Sequence, residues 1–448
     1  MFQRTVLPDG PRVISARMPG TRSLAVAVTV LVGSREERRT DAGLAHFMEH
    51  ITFRGTRAYP TSRAVSEAVE GVGGTSNAST GRESTVYWTR LPVRHAERAF
   101  DILGELLLRP ILRDEDVARE RDIIVEEIRS YQDDPAQHVF DLFDRTWFGD
   151  TPLGWEIAGD ETTVGAMDGD RIRGFWSAAY RPDRMVVAVA GDLDHDEAVR
   201  LVEAALAPHD TGHQVGPVAT RSGSAAGRSR PGAATGGPTQ GREWLPAPPT
   251  PCERLAIERR RVAQAHLCLG LPALPRDHAD QWALELLSAV LGDGSSSRLF
   301  LSVREEAGLA YDVHSFQVEY QDAGVLGVYA GVDPDDQVQA LTAILAELSR
   351  IRDERVPDAE LEKARAYVSG RLELRLEDTR HMCSWLGSQE ALHDRVLTPE
   401  EALDALASVT PGQVQDLAGR LIRDESLALA AITPRTGGRA LERALRLP

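Results

Sequence analysis

Apolar residues recur along this chain in two registers, and the switch between them marks out elements. RVISARM (12–18) and LAVAVTVLVG (24–33) are runs rich in β-branched and small apolar residues and predict strands, as does STVYWTRL (84–91). Between them the period changes to that of a helix. Residues 42–53 predict one helix, and SRAVSEAVEGVGG (62–74) predicts another that stops at glycines. RHAERAFDILGELLLRP (94–110) carries leucines at helical spacing and is halted by Pro110. Its apolar stripe is core packing and implies no cofactor.

The pattern breaks near residue 210, where large apolar residues give way to Gly, Ala, Ser, Thr and Pro for some forty positions. Such a stretch cannot bury enough surface to fold alone. The chain therefore divides into a domain over residues 1–212, a linker over 213–250 and a domain over 251–448. AQAHLCLGLPAL (263–274) opens the second domain as SLAVAVTVLVG opens the first. DEDVARERDIIVEEI, from Asp114, and DAELEKARAYVSGRL, from Asp358, agree in character at Asp116/Glu360, Val117/Leu361, Arg119/Lys363 and Ile124/Val368. An internal duplication follows, giving an α+β fold of two homologous domains, each a mixed sheet with helices. The copies differ where it matters for chemistry: Glu120 pairs with Ala364, and Glu127 with Arg371.

Composition narrows the function classes. With 448 residues, 42% of them hydrophobic and 27% charged, the chain is long enough for two or three globular domains, and it holds no apolar run of the length a membrane span needs. The N-terminal residues lack the pattern of a secretory signal, so the expected location is cytoplasmic. A net charge of −17 opposes a nucleic-acid partner and is compatible with basic peptides. The three cysteines, Cys252, Cys268 and Cys383, are widely spaced and read as ordinary buried or semi-buried thiols.

The candidate chemistry lies in GLAHFMEHITFRGT (43–56). His46 and His50 are one helical turn apart on one face, so two imidazoles can reach one ion. Glu49 stands beside them, where a general base for a metal-activated water is needed. A histidine pair alone is common by chance; H-x-x-E-H is a more specific pattern, known from zinc peptidases. A third ligand is required. In DVARERDIIVEEIRSY, Val117, Ile124 and Ile128 form an apolar stripe, with Glu120 and Glu127 flanking it on one side and Glu126 opposite. Glu127 is the better candidate for third ligand, and Glu120 for a carboxylate that fixes a ligating histidine. Without the histidine pair, both would read as ordinary exposed acids.

HFMEH followed by ITFRGT, and then RERDIIVEEI, resembles the pitrilysin family of zinc peptidases, and the plan of two halves resembles its short bacterial members and the mitochondrial processing peptidase. The resemblance covers essentially the whole chain. It implies a clamshell fold with an enclosed chamber, one Zn2+ per chain held by His46, His50 and Glu127, Glu49 as base and Glu120 as supporting acid. It also implies that the strand around Asn77 and Ala78 holds peptide substrate by its edge, and that Arg304 and Tyr311, in LSVREEAGLAYDVHS, are brought to the site from the second half or from a partner subunit. Because one chain carries both sets, a homodimer is the expected assembly, with a heterodimer of related chains the alternative. The helix of the second half in the place of HFMEH, LELLSAVLGDG, contains no histidine. The activity implied is endopeptidase action on peptides or unfolded segments. Removal of leader segments from a ribosomal peptide product is a narrower alternative, and a non-catalytic structural subunit a rival of a different class.

Overall fold

The protein is described by a computed structural model covering residues 2–8, 10–207, 246–435 and 438–448. The linker expected over 213–250 lies outside the described residues except for its last five. Two sheets organise the rest. The first contains β1 (Phe2–Val6), β2 (Arg12–Arg17), β3 (Ser23–Val30), β4 (Thr75–Thr80), β5 (Thr85–Pro92) and β6 (Met185–Gly191). The second contains β7 (Leu255–Arg259), β8 (Ala265–Ala273), β9 (Ala310–Glu319), β10 (Gly324–Val332) and β11 (Ala428–Thr433). Their strand orders are β1-β2-β6-β3-β5-β4 and β7-β11-β8-β10-β9. Once β1 is set aside the two orders are the same, and in both the single parallel pairing is at the same place, β2 with β6 and β7 with β11. The duplication expected from the sequence is present in the topology. It also holds in the helices: α4 (Asp114–Asp133) and the helix Asp358–Leu376 start at the two positions that the sequence aligned.

Each domain lends one helix to the other. In β3, Leu24, Val26, Val28 and Val30 face the first domain's own helices, among them Ile102, Leu103 and Leu106 of α3 (Ala96–Leu108), the third helix after α1 (Leu44–Thr52) and α2 (Ser62–Glu70). The opposite face shows Ala25 and Ala27, which with Ala188 and Ala190 of β6 receive Cys383, Leu386 and Ala391 from the helix Thr379–Leu392 of the second domain. Reciprocally, Val139, Phe143 and Trp147 of α5 (Pro135–Phe148) cover Cys268, Ala428, Ala430 and Ile432 of the second sheet. A strand buried on both faces has no polar side to alternate with, which is why SLAVAVTV reads as one continuous apolar run. The exchanged helices fit because the receiving face is small: a Cβ on Gly270 would lie 2.2 Å from the Phe143 ring. Across the same seam, the buried Glu83 accepts from Arg35 at 2.6 Å and from Arg276 of the second domain at 2.5 Å.

Two of the three cysteines are buried, but Cys252 is exposed, contrary to the expectation, because it precedes β7 and its side chain packs into no core. Among the described residues no helix is long and apolar enough to cross a membrane.

Candidate metal centre

Helix α1 buries Leu44, Phe47, Met48 and Ile51 in the first domain's core and turns His46, Glu49 and His50 towards a cavity of about 620 Å³. Gly43 precedes it at φ +94°, a left-handed conformation in which a side chain would also strike the Ala158 carbonyl. No side chain of α1 itself caps its first amides. Instead the buried Glu37 reaches in, accepting from Gly43 N at 2.9 Å and Ala45 N at 2.6 Å. It accepts at the positive end of the helix and fixes the turn from which His46 projects, while burial raises its carboxyl to about 8.

Helix α4 supplies the rest. Val117, Ile124 and Ile128 are buried, Glu120 is 3% exposed and Glu126 faces solvent, as the stripe predicts. The Nε2 atoms of both histidines converge on Glu127, His46 at 3.8 Å from Oε1 and His50 at 3.4 Å from Oε2. The two imidazole centroids are 4.6 Å apart, and one donor atom from each of His46, His50 and Glu127 lies within 4.8 Å of the others. Glu120 Oε2 sits 3.3 Å from the other nitrogen of His50, Nδ1, while its Oε1 is paired with Arg54. Glu49 Oε2 accepts from Thr80 Oγ1 at 2.5 Å.

Burial, aided by the neighbouring His50, pulls His46 down to about 3, so its imidazole is neutral and offers a lone pair. Burial also pulls His50 down, but its hydrogen bond to Glu120 and the charge of Glu127 outweigh it, and the net shift is upward. Burial would raise Glu120; His50 and Arg54 reverse this and hold it ionised below the usual carboxylate range. For Glu49 burial wins over the Thr80 hydroxyl, and its carboxyl is raised. The set fits a divalent metal. Two imidazoles and a carboxylate are the donors a catalytic zinc takes, an anchored acid orients one of the imidazoles, and Nδ1 of His46 is buried with no hydrogen-bond partner, so this ring has its polar contacts only on the side of the other donors.

The structure gathers some of the predicted residues and leaves others apart. Ala78 lines the same cavity as His46, Glu49, His50 and Glu127, together with Ser79, Thr80 and Gly81 of the outermost strand, β4 and its end. Asn77 does not line it; its Oδ1 accepts from Ala78 N at 2.9 Å. Arg304 and Tyr311 are also absent from the lining, so within one chain they do not complete the site. The reason is topological: Tyr311 is the second residue of β9, the outer strand of the other sheet, and is 74% exposed, with the Arg304 guanidinium over its ring at 5.7 Å. Sequence reasoning missed Glu37, Arg54 and Thr80. Arg54 has a signal, one helical turn after His50 in ITFRGT; Glu37 and Thr80 have none, since only the fold brings them to α1.

Comparisons with known proteins identify the family. The family model described as "Insulinase (Peptidase family M16)" matches residues 12–161, and that described as "Peptidase M16 inactive domain" matches 166–368. An uncharacterised zinc protease of Streptomyces coelicolor is 36% identical over 93% of this chain and 86% of its own length. Another, from Bacillus subtilis, is 32% identical over 97% of this chain and 98% of its own. Among solved structures, a protease from Helicobacter pylori superposes with a TM-score of 0.85 at 21% identity, covering 97% of this chain and 99% of that one, which shows the shared fold. The match labelled inactive fits a second half whose helix Gln281–Gly292 stands where α1 stands in the first and carries no histidine. Sequence relatives, fold and the paired helices α1 and α4 lead to one assignment: this chain belongs to the insulinase family, peptidase family M16.

Proposed function

We propose that this chain is a zinc-dependent endopeptidase acting on peptides or unfolded segments, and that its working form is a homodimer. The observation that carries the reading is the convergence of His46, His50 and Glu127 beside a half-buried Glu49, on a cavity lined by β4, the outermost strand among the described residues. A zinc ion held by His46, His50 and Glu127 would supply Lewis acidity, polarising a carbonyl and acidifying water.

The remaining steps belong to the protein. The β4 edge offers free backbone groups to an extended peptide, main chain to main chain, so that binding depends little on sequence. Thr80 aims the Glu49 carboxylate, and burial raises its proton affinity towards that of an effective base at neutral pH. Glu49 takes the proton of the attacking water and returns it to the leaving amine. Tyr311 and Arg304 of a second copy donate to the carbonyl oxygen and orient the substrate, which accounts for the exposure of Tyr311 on the outer strand of a single chain. Facing copies would enclose the cavity and admit unfolded chains but not folded proteins.

The test is zinc content and hydrolysis of a quenched fluorescent peptide library, with Glu49→Gln alongside. Zinc retained and hydrolysis abolished in the variant support the reading. Zinc bound by a wild-type protein that cuts no peptide would sink it in favour of a structural role.

A further inference from the structure

The same cavity carries a second group of ligand-type residues that the proposed chemistry does not use. His138 and Asp141 are three apart on one face of α5, and Glu156 comes from the loop that follows. One donor atom from each lies within 4.8 Å of the others. Asp141 and Glu156 line the cavity with His46, Glu49, His50 and Glu127.

The imidazole of His138 distinguishes this cluster from a chance gathering of acids. His138 is 3% exposed. Its Nε2 lies 2.9 Å from Glu258 Oε2, a carboxylate of β7 in the second domain, which can only accept. With Nε2 donating there, Nδ1 of the neutral ring is a lone pair. That atom is buried, has no hydrogen-bond partner and faces Asp141 Oδ2 at 3.9 Å. A lone pair facing a carboxylate is repulsive unless a proton or a metal ion lies between them, and a carboxylate holding the far nitrogen is the usual partner of a metal-ligating histidine.

We infer that His138, Asp141 and Glu156 form a second divalent-cation site, of nitrogen and oxygen donors, in the wall of the cavity. Nearby groups leave it open to a cation. Asp144 is taken by Arg82 at 2.7 Å, and Arg145 reaches Glu156 at only 3.6 Å and from one side. The site lies beside the second domain, whose Glu258 holds the far nitrogen of His138.

The experiment is titration of the chelator-stripped full-length protein with Zn2+ by calorimetry, so the readout is binding and not hydrolysis, and a failure of the peptidase reading leaves it intact. Two equivalents are expected in the wild type. One should remain in the double variant His46→Gln/His50→Gln, and the other in His138→Gln. Asp141→Asn and Glu156→Gln should each weaken the second equivalent at least ~10-fold, and they read the site even if His138→Gln folds poorly. A single equivalent in the wild type, or a second one undisturbed by all three substitutions, overturns the inference. So does a wild type with one equivalent in which Asp141→Asn raises KM for lysine- or arginine-containing peptides alone, which would make this wall a subsite for basic side chains.

Discussion

His50 Nε2 and Glu127 Oε2 stand 3.4 Å apart, on helices far separated in sequence, and Glu120 on the second of those helices holds the opposite nitrogen of the same ring. One helix therefore provides both a ligand-type carboxylate and the support that aims its partner. Glu120→Gln should leave the fold intact and lower zinc affinity by about 10–100-fold, because His50 loses its anchor while the three donors remain. Chelator competition measures this directly. An unchanged affinity would show that the Glu120–Arg54 pair is structural.

Glu37 acts on the site through the helix it caps. Glu37→Ala leaves the Gly43 and Ala45 amides buried without acceptors and should cost about 1–2 kcal/mol of stability. The zinc dissociation constant should rise with it, since His46 lies in that first turn. Denaturation and metal titration on the same variant separate this from a purely global loss, in which affinity of the folded protein would stay constant.

The exchanged helices predict that the two domains unfold together. Phe143→Ala removes a ring of α5 that packs against Gly270 and should cost about 3–4 kcal/mol while keeping a single denaturation transition. Two separate transitions in the wild-type protein would show that the exchange contributes little coupling.

If Tyr311 acts on a neighbouring copy, inactive variants should complement. Mixing Glu49→Gln with Tyr311→Phe subunits, refolded or exchanged together, should restore about one quarter of wild-type hydrolysis, since half of the dimers are mixed and one of their two sites is intact. No recovery at any ratio would place Tyr311 in the site of its own chain, or in none.

A structural pair gives a pH signature away from the metal centre. Burial would raise the Glu105 carboxyl, but the Ala58 amide at 2.8 Å and the Arg109 guanidinium outweigh it and lower it. A lowered folded-state value means that the pair stabilises above the unfolded value, 4.5, and that this contribution is lost as pH falls through the folded one. Glu105→Gln should therefore be less stable by about 3 kcal/mol at neutral pH, a gap that narrows below pH ~4.5. Urea midpoints for both proteins from pH 7 to 3 check it; a gap constant with pH would mean the carboxylate's charge is not what matters.

Sequence alone determined the elements and much of the site. Local periodicity placed α1 and α4, and because an i, i+4 pair on a helix shares a face whatever the fold, His46 and His50 were legible as neighbours and Glu49 beside them. The stripe of Val117, Ile124 and Ile128 likewise oriented Glu120 and Glu127, and matched segments disclosed the duplication. Only the tertiary structure decided what packs across the seam. That α5 covers the second sheet and the helix Thr379–Leu392 the first could not be read from their own sequences, since an apolar helix face fits either sheet. The same holds for Glu37 and Thr80 at α1, for His138 against Glu258, and for the absence of Arg304 and Tyr311 from the cavity lining. These contacts join residues remote in sequence, and a chain's local pattern fixes which face of an element is apolar without fixing what that face meets.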